Sequence, residues 1–476
     1  MLAQSNTVKN LTLLSFFEFW DRYCFYGTLN LLLIVLVTVH HLTLAAALPF
    51  WGTYAALGFA LPALGGYVAD RIIGIEHAML TGSVLIALGS FVLTLPWIWS
   101  LYLGLAISVC GIGLFKGNIT ACAGGLYERH DQGQDTGYCY FFMGMSGGTV
   151  IGSALAYAFA YTLGWQIAFL INGLGMLSAL LLYLTASNKI IYLSLPQKRP
   201  LDFNSQSILW CGVAVLTALI MLLFYHSQWT DVALRTYISV AVLLLVIALF
   251  RYPLEAQKKM IGLLILSFVT ACYFATTLQI IDGSLLTYMQ QYIDPTASAR
   301  AWWTSPSSLN PIFAFLFAPL FALLWHLLRK RKLLPSISLR FIIGLLLASA
   351  GFGCFALSTA VLSPDVTQQP LFYLVAGSLL IGASGACIIP TIMSAVARYA
   401  PLTFLGTLMG MWFMSHALAG YLGSIIGGHS QILFDVHSVP RDYRSMFNST
   451  AMIILGMAVL VLLISPLIRW LFDEKN

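Results

Sequence analysis

The stretch Glu18-Phe19-Trp20-Asp21-Arg22-Tyr23-Cys24-Phe25-Tyr26-Gly27 sets three charged side chains inside an apolar run that continues to Thr38. At about 100° per residue, Glu18 and Arg22 fall about 40° apart on a helix, and Asp21 about 60° to the other side of Glu18. All three share one face, which Phe25, Tyr26 and Leu29 continue toward the middle of the run. A charge in a membrane span costs roughly 2.5–3.5 kcal/mol on insertion scales, so it belongs toward a protein interior or a wet cleft, not lipid. One guanidinium beside two carboxylates suits charge-assisted forks and leaves one net negative charge available to a proton. The plainer alternative is a static salt-bridge cluster that fixes helix packing.

The chain around this stretch asks for a bilayer. Of 476 residues, 59% are hydrophobic and only 8% charged, where soluble domains are about a quarter charged. A span needs about 20 apolar residues. Such runs occur near 12–38, 44–69, 77–95, 99–123, 137–161, 165–186, 206–226, 231–250, 261–292, 308–328, 339–362, 371–397, 403–428 and 446–470, which predicts 14 spans. Asn188, Pro200, Pro253 and Pro364 punctuate them. With a cytoplasmic N-terminus, 17 of the 23 Lys and Arg fall in cytoplasmic segments, 4 (Arg235, Arg300, Arg441, Arg444) outside, and 2 (Arg22, Lys116) within spans. Cytoplasmic loops are the ones enriched in Lys and Arg, so the split supports both the span count and cytoplasmic termini. The first residues are polar and show no small-residue cleavage site, so no cleavable leader is expected.

The stretch 187–205 reads as a cytoplasmic linker after six spans. The next two spans, almost free of polar residues, read as an inserted pair that faces lipid. Six spans remain on either side of it, a two-halved plan. The expected organisation is an all-α polytopic membrane protein: a six-helix bundle over 1–187, a linker over 188–205, the helix pair over 206–256 and a second six-helix bundle over 257–476.

Two further intramembrane charges stand out. Lys116, in Gly113-Leu114-Phe115-Lys116-Gly117-Asn118, is more than ten residues from either end of its span. That is too deep for comfortable snorkelling, and a buried lysine can give up and regain a proton as its surroundings change. Asp282, in the outer half of the ninth span, is balanced between a hydrated outer-end carboxylate and a functional group. Asp70-Arg71 closes Gly65-Gly66-Tyr67-Val68-Ala69-Asp70-Arg71 and suits a tight cytoplasmic turn with a structural or gating lock. His40, His41 and His416 read as packing residues. The eight cysteines form no CxxC pair and read as small buried hydrophobes. No metal constellation, nucleophile–base arrangement, Walker or GxGxxG pattern appears, so neither an enzyme nor an ATP-driven pump is expected. Basic residues are scattered among apolar runs, which excludes a nucleic-acid face.

Glu18-x-x-Asp21-Arg22-Tyr23-x-Phe25-Tyr26-Gly27 resembles the ExxER(F/Y)xYYG signature of the proton-dependent oligopeptide transporter family. Further matches follow in order. GGYVADRIIG (65–74) resembles GGWLADRxxG, and GLFKGNIT (113–120) resembles GLFKPNVS. LYERHDQGQDTGYCYFFMGMSGGTVIG (126–152) resembles LYxxxDxxRDxGFxxFYxGINLGAxxA. SSLNPIFAFLFAPLFALLW (307–325) resembles QSLNPLFIIxLAPxFAxLW, and LGTLMGMWFMSHALAGYLG (405–423) resembles GLMMGxWFLxxAxGNYLxG. The resemblance covers essentially the whole chain and implies the major facilitator fold in a proton-coupled symporter of di- and tripeptides or a related solute. It assigns Glu18, Asp21, Arg22 and Lys116 to proton coupling, with Lys116 also a candidate for the substrate carboxylate, and Tyr26, Ser146, Asn310 and Trp412 to the substrate site. It implies a proton gradient and no cofactor, a monomer, and a bacterial inner membrane.

Departures from the family cluster late in the chain. Leu29 stands where the family has an arginine, and Leu278, Gln279 or Ile280 where it has the partner acid; losing both avoids an orphaned buried charge. In Ser384-Gly385-Ala386-Cys387-Ile388-Ile389-Pro390, Gly385 stands where the family keeps a glutamate that anchors a peptide amine, and Ser146 replaces an asparagine. The expectation is retained proton coupling with a substrate other than an ordinary zwitterionic peptide, Asp282 being the candidate amine anchor. The alternatives are a non-transporting receptor or assembly protein on the same scaffold, or an exporter of a non-peptide solute.

Overall fold

In a computed structural model of the chain, the described residues are 2–129, 131–187, 190, 192–195, 202–226, 229–279, 285, 288–289, 306–360, 368–428 and 440–473. Among them there is no strand. Inside hydrocarbon a helix satisfies every backbone group within its own segment, which is why long apolar runs fold this way. The long helices are α1 (Leu2–Thr38), α2 (Leu44–Ile73), α3 (Ile75–Val92), α4 (Ile98–Gly125), α5 (Gly133–Thr162), α6 (Trp165–Ala186), α7 (Phe203–Tyr225), α8 (Thr230–Leu249), α9 (Leu254–Gln279), α10 (Pro306–Lys330), α11 (Ile337–Ala360), α12 (Gln368–Tyr399), α13 (Leu405–Gly428) and α14 (Pro440–Leu471).

By length and composition, 13 helices among the described residues are apolar enough to cross a membrane. The long helix outside that set is α1, whose mean hydropathy is pulled down by the charges and amide it carries. Two boundaries differ from the sequence expectation. α1 starts at Leu2, ten residues before the expected span, because the polar N-terminal segment is also helical. α9 starts at Leu254, seven residues before the expected 261, and most of the expected span beyond Gln279, Asp282 included, lies outside the described residues.

The chain divides into two compact units. The first comprises 1–134, 147–260 and 396–417; the second comprises 135–146, 261–395 and 418–476. In the first, α3 packs on α4, α1 and α3 pack on α6, and the end of α2 packs on α4. The α3–α4 crossing is backbone on backbone. A Cβ added at Gly82 would lie 2.7 Å from the Gly111 carbonyl oxygen, and one at Gly89 2.7 Å from that of Gly104.

The inserted pair belongs to the first unit. Phe224 of α7 stacks on Phe50, Thr230 shares a 2.8 Å hydrogen bond with Thr53, and Tyr237 donates to the Ala60 carbonyl at 3.1 Å. Beyond these contacts α8 buries little: Leu245 is its buried residue, and Leu243, Leu244, Val246 and Ile247 are exposed.

The described piece of the linker is tied down. Leu193 and Ser194 donate backbone N–H groups to the Gly125 carbonyl at 2.7 and 3.2 Å. The Tyr192 and Tyr183 hydroxyls lie 2.9 Å apart, and Tyr183 donates to Glu76 Oε1 at 3.0 Å. Burial pushes the Tyr192 hydroxyl pKa up.

In the second unit α11 packs along α14, with Ser349 donating to the Ala451 carbonyl at 2.8 Å. The eight cysteines are all free thiols.

Candidate functional site

α1 is seated so that its charged face turns inward within the first unit. Phe17 meets Phe115 of α4 edge-on at 5.0 Å and Tyr183 of α6 at 5.7 Å. Trp20 rests on Gly175, and Gly148 of α5 lets backbone lie against Phe19 and Arg22. As a result Glu18 and Asp21 are fully buried and Arg22 is 3% exposed.

The expected shared face is present, with one change in detail. Arg22 Nε donates to Glu18 Oε1 at 2.7 Å, whereas Asp21 Oδ2 stands 3.9 Å from the same nitrogen. No fork to both carboxylates forms, because the one-residue offset carries Asp21 to the side of Glu18 away from Arg22. Both Asp21 oxygens, Glu18 Oε2 and Arg22 Nη2 are buried without a hydrogen-bond partner among the described residues.

Lys116 joins this cluster from α4. It is fully buried, and the charges of Asp21, Arg22 and Glu18 all act on it. Its Nζ has no hydrogen-bond partner among the described residues and lies 3.5 Å from the Phe25 ring centroid and 4.8 Å from that of Phe59. Two carboxyl groups, a guanidinium and an amine thus share one buried region, a set that is balanced when all four are ionised, so that losing or gaining one proton leaves a net charge.

Residues of α13 in the same unit close around the cluster. Arg22 Cζ lies 5.2 Å from the Phe413 ring. His416 stacks on Phe59 at 4.9 Å with the rings 7° apart, and Trp412 meets His416 edge-on at 5.5 Å. Tyr26 packs edge-on against Phe25 at 5.1 Å and acts electrostatically on Arg22. Asp70 has a different setting. It accepts from Gly406 N at 3.0 Å, Thr407 N at 2.8 Å and Thr407 Oγ1 at 2.7 Å, which caps the start of α13. Asp70 thus places a carboxylate on helix-terminal amides, while Arg71 is exposed.

Glu18, Asp21, Arg22, Lys116, Tyr26 and Trp412 are thus brought together in the first unit. Ser146 and Asn310 belong to the second. Ser146 is buried on α5; Asn310 is half-buried on α10, its Oδ1 without a hydrogen-bond partner among the described residues. In that unit Ser384 donates to the Tyr273 hydroxyl at 3.2 Å. A Cβ at Gly385 would meet that hydroxyl at 4.0 Å and Ile389 Cδ1 at 3.9 Å, ordinary contacts.

Two groups escaped sequence reasoning. Phe59 looks like any packing aromatic, and Phe25 like a mere continuation of the charged face, until Lys116 Nζ is found over both rings. Asp135 and Arg340 form a buried ion pair in the second unit; Arg340 had counted only as one more cytoplasmic cation, and the two lie too far apart in sequence for any local pattern. Among the described residues no group of His, Cys, Asp or Glu could hold a metal ion.

The family model described as POT family matches residues 76–431. The peptide transporter YePEPT of Yersinia enterocolitica subsp. palearctica serotype O:3 (strain YE-P4) is 29% identical, over 96% of this chain and 94% of its own. The uncharacterized transporter YclF of Bacillus subtilis (strain 168) is 25% identical, over 97% and 94%. A solved crystal structure of peptide transporter POT in complex with sulfate is similar with a TM-score of 0.68, at 24% identity, over 97% of this chain and 95% of that one.

Proposed function

Because this chain belongs to the POT family, a multi-pass membrane transporter family with the major facilitator fold, we propose that it is a secondary symporter. It would couple proton influx to uptake of di- or tripeptides or a related peptide-like solute by alternating access. The observation that carries this reading is the buried Glu18–Asp21–Arg22–Lys116 cluster, in which several polar atoms have no hydrogen-bond partner among the described residues. A silent scaffold has no reason to keep four costly charges. Glu18, Asp21, Arg22 and Lys116 serve proton coupling; protonation at the acids loosens Arg22 and shifts the conformational equilibrium. Coupling requires that proton and solute each bind the two states with different affinity. Lys116 is also a partner for a solute carboxylate, and Tyr26, Ser146, Asn310 and Trp412 are solute contacts.

The space left at Gly385 beside the Tyr273 hydroxyl favours a narrower reading of the substrate: a peptide-like solute whose amine, if present, is held elsewhere, with Asp282 as the candidate. The protein works as a monomer in a bacterial inner membrane, with both termini cytoplasmic and no cofactor beyond the proton gradient.

Purified protein in proteoliposomes, given an inward proton gradient and radiolabelled dialanine, tests the main reading. Accumulation above the no-gradient level is expected, with loss in Lys116→Ala. No accumulation of dialanine, tripeptides or N-acylated dipeptides would favour a receptor or an exporter of another solute. Asp282→Asn with undiminished uptake would remove the amine-anchor assignment alone.

A further inference from the structure

We propose that Phe25 and Phe59 form an aromatic seat that sets how firmly Lys116 holds its proton, which makes them positioning residues of the coupling group. This rests on the reading of Lys116 given above.

Three observations carry it. First, the contacts that the described residues offer the Lys116 ammonium are ring faces: 3.5 Å to the Phe25 centroid and 4.8 Å to Phe59, with no hydrogen bond at Nζ. A ring quadrupole attracts a cation and gives almost nothing to a neutral amine, and the attraction is larger where water is absent. The seat therefore discriminates between the two protonation states, whereas a carbonyl or hydroxyl would bond to both. Second, the rings are held in place. Phe25 stacks with Tyr54 at 5.3 Å and meets Phe59 edge-on at 5.3 Å. Its ring lies on Gly58, where a Cβ would strike it. His416 stacks on Phe59, so both rings are braced by neighbours. Third, neither ring carries a hydroxyl that would trade the face contact for a hydrogen bond.

Other titratable groups bear on the amine and stay fixed in the test. They are Glu18, Asp21 and Arg22 on α1 and His416 on α13, which feels both Lys116 and Arg22. Tyr26 acts through Arg22, and Tyr54 of α2 sits behind Phe25. Glu76 of α3 is engaged with Tyr183, and the side chain that α7 offers to α4 at Cys110 is the neutral Thr217.

The full-length protein, labelled with ¹³Cε-lysine in detergent micelles, is titrated by NMR; the Lys116 signal is the one missing from Lys116→Met. Phe25→Leu and Phe59→Leu should each move its midpoint about one pH unit to the acid side, a tenfold loss of proton affinity, or 1.36 kcal/mol. Trifluorophenylalanine introduced at position 25 by codon suppression should shift the midpoint part of the way; it keeps the ring's shape and so decides the matter if a leucine variant fails to fold. Midpoints that ignore ring electronics, or a Lys116 signal that does not titrate between about pH 5 and 11, overturn the proposal. The pH profile of dialanine uptake should move with the midpoint. Absence of uptake in wild type would defeat the transport reading and still leave the lysine titration to be read.

Discussion

Asp135 at the start of α5 and Arg340 at the start of α11 form an ion pair, Oδ1 to Nη1 2.9 Å, with each side chain 3% exposed. The same carboxylate oxygen accepts from Ser394 at 2.6 Å, and Arg340 Nε donates to the Pro335 carbonyl at 3.0 Å. Removing one partner of such a pair leaves a buried charge without compensation, which costs about 3–5 kcal/mol. Arg340→Met alone should lower the thermal midpoint of the detergent-solubilised protein strongly. Asp135→Leu combined with Arg340→Met should recover most of the loss. Additive single and double effects would mean that the two side chains do not depend on each other.

Asp70 should behave as a cap. Three hydrogen bonds at the start of α13 vanish in Asp70→Ala, two of them from backbone amides. Loss of a cap costs about 0.5–2 kcal/mol, and the favourable placement of negative charge at a helix N-terminus goes with it. Asp70→Asn keeps an acceptor and should fall between wild type and Ala in a melting series. Arg71→Ala, at an exposed position, should scarcely register in the same series.

Glu18→Gln keeps size and shape but leaves Arg22 and Lys116 with Asp21 as the sole ionised acid of the cluster. Gradient-driven uptake of dialanine should drop roughly 5–150-fold, the span of an ordinary coupling free energy. Exchange of labelled for unlabelled dialanine without a gradient should persist, since exchange needs no net proton movement. Equal loss of both activities would point to solute binding, not coupling.

Gly111→Val probes the α3–α4 seam. Its first side-chain carbon would sit 2.7 Å from the Gly82 carbonyl and 2.7 Å from Ile86 N, so the helices must part. Overpacking of this kind costs about 1–3 kcal/mol. Gly212→Val on α7, with nothing within 4 Å of the new carbon, should leave the melting point near wild type.

Much of this molecule could be read from its letters because the bilayer imposes a simple rule: long apolar runs become helices. Charges are rare enough in such runs that Glu18, Asp21, Arg22 and Lys116 announced themselves, and helical geometry foretold the Glu18–Arg22 contact. The rest depends on distance across the fold. Phe25 and Phe59 are two of thirty phenylalanines in the chain, and only their approach to Nζ sets them apart. Asp70 found its partners at 406 and 407, on a helix more than three hundred residues later. The aromatic stack through His416 was hidden for a different reason: an isolated histidine in a span gives no local sign of what it will lie against.

The bareness of α8 bears on how this gene can vary. At Leu243, Leu244, Val246 and Ile247 the neighbours would be acyl chains, which ask for greasiness and not for a particular shape. Exchanges among Leu, Ile, Val and Phe there should pass unnoticed in a library selected for growth, while Lys or Asp at the same codons is purged. Thr230 and Tyr237, tied to Thr53 and Ala60, should tolerate few replacements. The helix would then look hypervariable in spelling and invariant in alphabet.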